Sequence, residues 1–533
     1  MLGSGTVVRA LRSKSSIATA VAFVALSTVF TALAFGATGS LTFVELDKDG
    51  VSGVSGIGGA IDVAISPDGG NAYVVGTNSG AVATFTRNPS TGALTFLEQD
   101  VDGVSGVDGI SGARGVEVSP DGANVYVTGH TDSAVATFTR NPTTGALTFL
   151  EQDKDGVSGV DGLAGAWGVD VSPDGKSVYV AGDADNAVAT FSRDPGTGAL
   201  TFVEQDKDGV SGVDGLAVAT GVVVSPGAGG NVYVASCVDS AVVTFDRDAT
   251  TGALTFVEQD KQGVDGVTGM GCARGLAISG DGANVYVAAE SGDAVATFNR
   301  NATTGSLAFA GSQFDGVSGA DGLDGARDVA VSPDCGSVYV ASTVDDRVAG
   351  FSRDASSGAL TYIEAAGAAG SQGTNGADAV TVAPDSAFVY STGESDNAVS
   401  TFSREGAGGE CGSTTTPPPG GGGSPAARTI SLKGSKKKVK KGKKVKLTGD
   451  LAAPTDPGCE SGQTVTLLRK RGKGSFATLR AVTTDGSGGF STTDKVKKSS
   501  QYRAQVVATS ACGSADSKAV KVKAKKKKKK KKK

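Results

Sequence analysis

The chain has 533 residues, 80 of them glycine and 39% hydrophobic, the composition of a folded, turn-rich protein with room for more than one domain. Its net charge of −5 hides two opposed parts: from Arg428 onward 31 Lys and Arg stand against 6 Asp and Glu, while residues 1–427 carry 19 against 49. There are no long amphipathic helical stretches, and beyond the N-terminal segment no apolar run long enough to span a bilayer, so neither an all-helical nor a polytopic membrane protein is expected.

Residues 1–34 combine a basic start (Arg9, Arg12, Lys14), an apolar run from Ile17 to Phe35 and the small-residue triplet Ala32-Leu33-Ala34. That layout predicts a secretory signal peptide, with an uncleaved membrane anchor as the alternative. Export makes disulfides permissible, and the six cysteines are an even number.

From residue 35 to 411 the chain repeats itself. The triplet Ser-Pro-Asp or a variant begins at Ser66, Ser119, Ser172, Ser225, Ser279, Ser332 and Ala383, at spacings of 51 to 54 residues. Each unit reads as four short strands; in the second they run from Gly115 to Val118, Asn124 to Val127, Ala134 to Arg140 and Ala146 to Glu151. Val, Tyr, Phe and Thr fill the strands, and Gly, Pro, Asp and Asn fill the turns. A long period with four strands per unit predicts an all-β, seven-bladed propeller. The seventh unit stops at Ser403-Arg404 without a fourth strand, and Thr38-Gly39-Ser40-Leu41-Thr42-Phe43 copies the missing one. The N-terminal strand is therefore expected to close the last blade and remove an open edge.

The elements Ser-Pro-Asp-Gly, Val-Tyr-Val and Thr-Gly-Ala-Leu-Thr-Phe resemble YVTN-type propellers and the lactonase-like family that includes 6-phosphogluconolactonase, over about residues 37–410. The resemblance implies that any activity resides in His, Glu and Arg groups at the channel mouth, the inner strand often following a His-Pro type pair. Here the matching positions read Ala113-Arg114, Ala273-Arg274 and Ala326-Arg327, so the arginines carry over and the histidine does not.

In this topology the loops alternate between two faces. Cys237 and Cys272 then share one face on neighbouring blades, Cys335 and Cys411 share the other, and both pairs are predicted disulfides. Residues 412–427 read as a Pro/Gly linker, and 428–524 as alternating strands about a dozen residues apart, an immunoglobulin-like sandwich with Cys459 and Cys512 as its staple. It resembles the Ig-like accessory domains of secreted bacterial proteins. Lys436–Lys438, Lys440, Lys441, Lys443 and Lys444 crowd this module, and nine lysines, Lys525–Lys533, end the chain as a solvated tail. Such charge points to anionic envelope polymers or lipid headgroups as partners. Nucleic acid is not expected, because Phe476, Phe490 and Tyr502 are too scattered to stack on bases.

Sevenfold repetition separates scaffold from candidate function, since a residue present in every blade is scaffold. An Arg closes the third strand in all seven blades, from Arg87 and Arg140 to Arg404, and is expected to lock blades through an acidic turn residue. Five residues before each Ser-Pro-Asp the pattern breaks: Ile61, Arg114, Trp167, Thr220, Arg274, Arg327 and Asp378 ring the channel. Three guanidiniums there suit a carboxylate or phosphate, and Trp167 suits a ring. His130, the sole histidine, lies in a loop on the same face, and Glu117 or Asp170 are the acids available to activate water. The acidic loops between blades raise the question of Ca²⁺ at Asp153, Asp155, Asp206 and Asp208, against plain Asp-Gly turns; no other cofactor is expected. Together these readings predict a monomeric, exported, envelope-associated propeller that binds an unidentified ligand or protein, with a lactonase-like hydrolase as the alternative.

Overall fold

The computed structural model describes residues 38–227, 230–367, 372–407, 411, 429–452, 464–471, 476–485, 488–506 and 515–525. The signal-peptide, linker and Cys459/Cys512 expectations, and the tail beyond Lys525, lie outside the described residues. Among the described residues no helix is long and apolar enough to cross a membrane.

Residues 38–411 form seven four-stranded antiparallel sheets. In the second blade the strands are Ala113–Val118, Asn124–Gly129, Ala134–Arg140 and Leu147–Lys154, from channel to rim. Inner strands of successive blades are neighbours, and Ala377–Val382 of the seventh returns to Ala60–Ile65 of the first. The seventh blade is completed by Leu41–Lys48, paired antiparallel with Ala398–Arg404 from Leu41 opposite Arg404 to Lys48 opposite Ala398, as the truncated repeat predicted.

The blades are joined by three repeated devices. Apolar clusters span each gap: Tyr73 and Val75 of the first blade pack with Val125, Phe138 and Leu147 of the second. A Glu on the outer strand accepts a backbone N–H from the next blade's outer strand, as Glu98 does from Leu147 and Glu151 from Leu200, both at 2.8 Å. The fifth blade has Gly311 at this position, and Gln313 bonds the Leu360 carbonyl instead. Third, the recurrent Arg reaches the preceding blade. Arg193 Nε donates to Tyr126 Oη at 2.7 Å, while its Nη2 bonds Asp121 and Asn124. The Arg-to-Tyr bond recurs in all seven gaps, the ion pair in six. Arg300 lacks an acid because the fourth blade's turn reads Ser225-Pro226-Gly227, and it bonds Ser225 and Asn231. The scaffold role read from the repetition is the role these arginines have.

The C-terminal residues form two sheets over one core. One contains Thr429–Ile430, Lys444–Ala452, Lys433–Gly434 and Gly489–Lys495; the other runs Lys438–Lys440, Val520–Lys525, Ser500–Val506, Thr464–Arg471, Phe476–Thr483, with Ala515–Asp516 on Ser500–Val506. Val445, Leu447, Val465, Leu467, Tyr502 and Val522 are buried between them. Strand alternation puts Val and Leu inside and Lys outside, so Lys438, Lys440, Lys444, Lys446, Lys521 and Lys523 are all exposed. Lys438 lies opposite Lys523, Lys440 opposite Lys525 and Lys444 opposite Lys495, like charges in register across strands.

Candidate functional site

The inner strands enclose a cavity of about 440 Å³ at the propeller axis, within the range of small-molecule sites. Arg114, Trp167, Thr220, Arg274, Arg327 and Asp378, predicted to ring the channel, all line it, as does Ile61. Arg274 and Arg327 are joined through a second ring that the sequence reading missed, and Arg114 meets Arg274 across the Trp167 ring.

That second ring comprises Thr77, His130, Asp183, Cys237, Glu290, Thr343 and Glu394, the residues that follow each second strand. Each donates its N–H, at 3.0–3.2 Å, to the carbonyl two residues before the first-ring position of its blade, so the two rings are stacked by one repeated hydrogen bond. The accepting residue needs a left-handed backbone, with φ of +51° to +71°. Five blades use glycine there, and the fourth and fifth use Val218 and Cys272. Of this ring, His130 was singled out from sequence as a site candidate and Cys237 as a disulfide partner. Thr77, Asp183, Glu290, Thr343 and Glu394 stood in plain view 11 residues after the start of each Ser-Pro-Asp or its variant, where the same internal comparison exposes them.

Polar contacts cross between blades at this mouth. Glu290 accepts from Arg274 Nε at 2.7 Å and from Arg327 Nη2 at 3.0 Å. Arg327 also meets Asp378 at 2.6 Å and Glu394 at 3.8 Å. Burial opposes ionisation of Glu290, but the two guanidiniums outweigh it and hold its carboxyl below the usual range. Asp378 is more deeply buried, and its carboxyl is pushed up to about 6 despite Arg327. Arg114 is different: among the described residues it has no direct ion pair or hydrogen bond to an acid, its Nε is buried without an acceptor, and Asp378 and Glu394 act on its charge only from beyond contact distance. Its guanidinium stacks 4.1 Å from the Trp167 ring centre, and that of Arg274 lies 4.9 Å away. Trp167 is thus already covered by cations, and a ligand ring stacks on it only by displacing one. His130 meets Trp167 edge-on at 5.8 Å, and its Nε2 lies 3.1 Å from Asp183 Oδ2.

Deeper in the cavity the lining turns acidic. Asp62, Asp170 and Asp328 each accept a backbone N–H from the next blade, from Val116, Val224 and Val380 at 2.7–2.9 Å. Burial raises Asp62 to about 6 and Asp170 and Asp328 to about 7. Glu117 is raised well above its ordinary value by burial, with Asp170 and Asp62 adding like-charge repulsion. Of the two acids considered for water activation, Asp170 is thus also a blade tie, and Glu117 sits with it below the arginine tier.

Both expected disulfides are formed, Cys237 to Cys272 and Cys335 to Cys411, the first joining the second ring of the fourth blade to the fifth. The acids considered for Ca²⁺ group otherwise than in the expected pairs. Asp155 clusters with Asp161 and Asp185, while Asp153 is not part of that group. Equivalent triplets are Asp102/Asp108/Asp132 and Asp315/Asp321/Asp345. Asp155 and Asp208 accept loop N–H groups from Leu163 and Leu216, the work of a turn residue. Lysines supply counter-charge, Lys154 to Asp132 and Lys207 to Asp185, each at 3.2 Å. Asp153 and Asp206 lie on outer strands, each with a buried oxygen that has no hydrogen bond, and burial beside Glu151 and Glu204 raises both to about 6.

A family model described as "Lactonase, 7-bladed beta-propeller" matches residues 169–321 and 319–434. A search of curated proteins finds no match. Among solved structures, the periplasmic gluconolactonase of Pseudomonas aeruginosa is 19% identical with a TM-score of 0.48, over 62% of this chain and 95% of that one. A putative 6-phosphogluconolactonase from Bacteroides fragilis is 21% identical with a TM-score of 0.45, over 57% and 82%. Hydrazine synthase of Kuenenia stuttgartiensis is 18% identical with a TM-score of 0.49, over 68% and 99%. The family match begins in the third blade, and the blades before it repeat the same unit and close the same ring: the chain belongs to the lactonase family of seven-bladed β-propellers.

Proposed function

We propose that this is an extracytoplasmic propeller that binds a small anionic ligand at the mouth of its channel, while the lysine-rich module holds it to anionic envelope polymers or lipid headgroups. Arg114 carries the ligand reading. Among the described residues Arg114 forms no ion pair within 4 Å, Asp378 and Glu394 offset its charge only from farther away, and a ligand carboxylate in the cavity supplies a direct partner. The attachment reading is supported by the lysines in register at Lys438/Lys523, Lys440/Lys525 and Lys444/Lys495. Like charges directly opposite are unfavourable, and a bound polyanion turns that cost into attraction. Two disulfides agree with an extracytoplasmic site of action.

The test is calorimetric titration with small carboxylates. Binding that is lost in Arg114→Ala supports the ligand reading, and unchanged binding removes it. Retention on purified cell walls that survives deletion of residues 428–533 removes the attachment reading.

The His130–Asp183 pair favours lactone hydrolysis as a second reading. Asp183 accepting from Nε2–H leaves Nδ1 free to take a proton from water. Hydroxide adds to the lactone carbonyl, Arg114 stabilises the oxyanion, and the ring C–O bond breaks as the imidazolium returns its proton to the leaving alkoxide. Turnover of a lactone panel that is abolished in His130→Ala, with carboxylate binding retained, supports this mechanism. Equal turnover in wild type and variant refutes it.

A further inference from the structure

We infer that Glu290 makes the channel mouth selective against phosphorylated ligands: it locks Arg274 and Arg327 so that a single guanidinium, that of Arg114, is left to receive an anion. The inference rests on the ligand-binding reading and adds its charge class.

Counting guanidiniums alone, three arginines around one cavity suggest a site for a phosphate or for two carboxylates. The geometry removes two of them. Glu290 bridges Arg274 and Arg327 with both carboxylate oxygens, Oε2 to the first and Oε1 to the second. Arg327 is further held by Asp378 through Nη1, with Glu394 behind it. Glu290 belongs to the second ring and reaches Arg274 of its own blade and Arg327 of the next, so it stands between the two cations. A phosphate dianion entering there meets one open guanidinium and the carboxylates of Glu290, Asp378 and Glu394. A monoanion with one carboxylate needs only Arg114, and the neutral, polar remainder of the ligand meets no unpaired charge. Displacing Glu290 is not an easy route for a phosphate, because that would free a partly buried carboxylate beside Asp378. The selectivity comes from like charge placed where the wrong ligand's extra anion would lie.

The probes are gluconate and 6-phosphogluconate, an aldonate with and without a terminal phosphate, titrated into the full chain at pH 7.5. Wild type is expected to prefer gluconate by about tenfold or more, which is about 1.4 kcal/mol. Glu290→Gln keeps the shape but removes the carboxylate charge between Arg274 and Arg327, freeing Arg274 and leaving Arg327 still paired with Asp378, and is expected to gain at least tenfold for 6-phosphogluconate with little change for gluconate. Glu290→Asp is expected to keep the wild-type preference. An unchanged melting temperature in each variant separates the charge effect from unfolding. A wild type that binds 6-phosphogluconate as tightly as gluconate overturns the inference and leaves the ligand-binding reading standing. So does Glu290→Gln without a gain for the phosphorylated probe. If neither wild type nor Glu290→Gln binds either probe, and no other carboxylate binds in an Arg114-dependent way, both fall.

Discussion

Asp328→Asn is expected to stabilise the propeller at pH 8 and to do so by less than half as much at pH 5. In the fold, burial raises the Asp328 carboxyl from 3.8 to about 7. A raised folded value means that the folded state favours the neutral acid: the stabilisation is complete below pH 3.8 and is lost as pH rises through about 7. The shift of about 3 pKa units corresponds to an upper bound of about 4 kcal/mol at 1.36 kcal/mol per unit. Asp328 faces the channel and its water, so roughly 1–3 kcal/mol is the expected gain. Asn mimics the neutral acid at every pH, and its Oδ1 still accepts the Val380 N–H that Asp328 Oδ2 accepts at 2.9 Å. The assay is urea or thermal unfolding of wild type and variant at pH 5 and pH 8. Because Asp62 and Asp170 are raised by the same burial, wild type itself should be more stable at pH 5 than at pH 8. Asp121, Asp174 and Asp334 set the acid limit: burial works against them, but hydrogen bonds and arginines hold them low, so their contribution disappears only as pH falls below the usual carboxylate range. A wild-type stability that is flat or rising from pH 5 to 8, or an Asn variant less stable at pH 8, refutes the reasoning.

Other outcomes follow from the same contacts. Arg193→Ala leaves Asp121, Asn124 and the Tyr126 hydroxyl without their partner and should cost about 3–5 kcal/mol; Arg300→Ala, with no acid partner, should cost clearly less in parallel unfolding. Equal costs would show that the ion pair is not what locks the blades. Deleting residues 38–48 removes the outer strand of the seventh blade and exposes the edge of Ala398–Arg404, so soluble monomer yield and Tm should both fall. Alkylation before and after reduction, read by mass spectrometry, should find Cys237, Cys272, Cys335 and Cys411 blocked in the native chain. Chelation should leave Tm unchanged, because Lys154 and Lys207 already offset the loop carboxylates; a Tm lowered by EDTA and restored by Ca²⁺ would return calcium to those loops.

Much of the architecture is local and repetitive, and so could be read directly. The Ser-Pro-Asp turns, the alternation of Val, Tyr and Phe, and the stray Thr-Gly-Ser-Leu-Thr-Phe at residues 38–43 determine seven blades and their closure, because strand period and turn chemistry act within a few residues. Sevenfold repetition also marked Arg114, Trp167, Arg274, Arg327 and Asp378, since a broken column needs no coordinates to be seen. What the columns could not show is which neighbours across blade boundaries engage which. Tertiary structure alone decided that Glu290 occupies two of the three arginines, that Arg114 stays open, and that His130 meets Asp183 of the next blade, contacts between residues 16 to 53 positions apart. Charge pairing depends on distance and burial in space, and the repeat specifies only the scaffold that sets them.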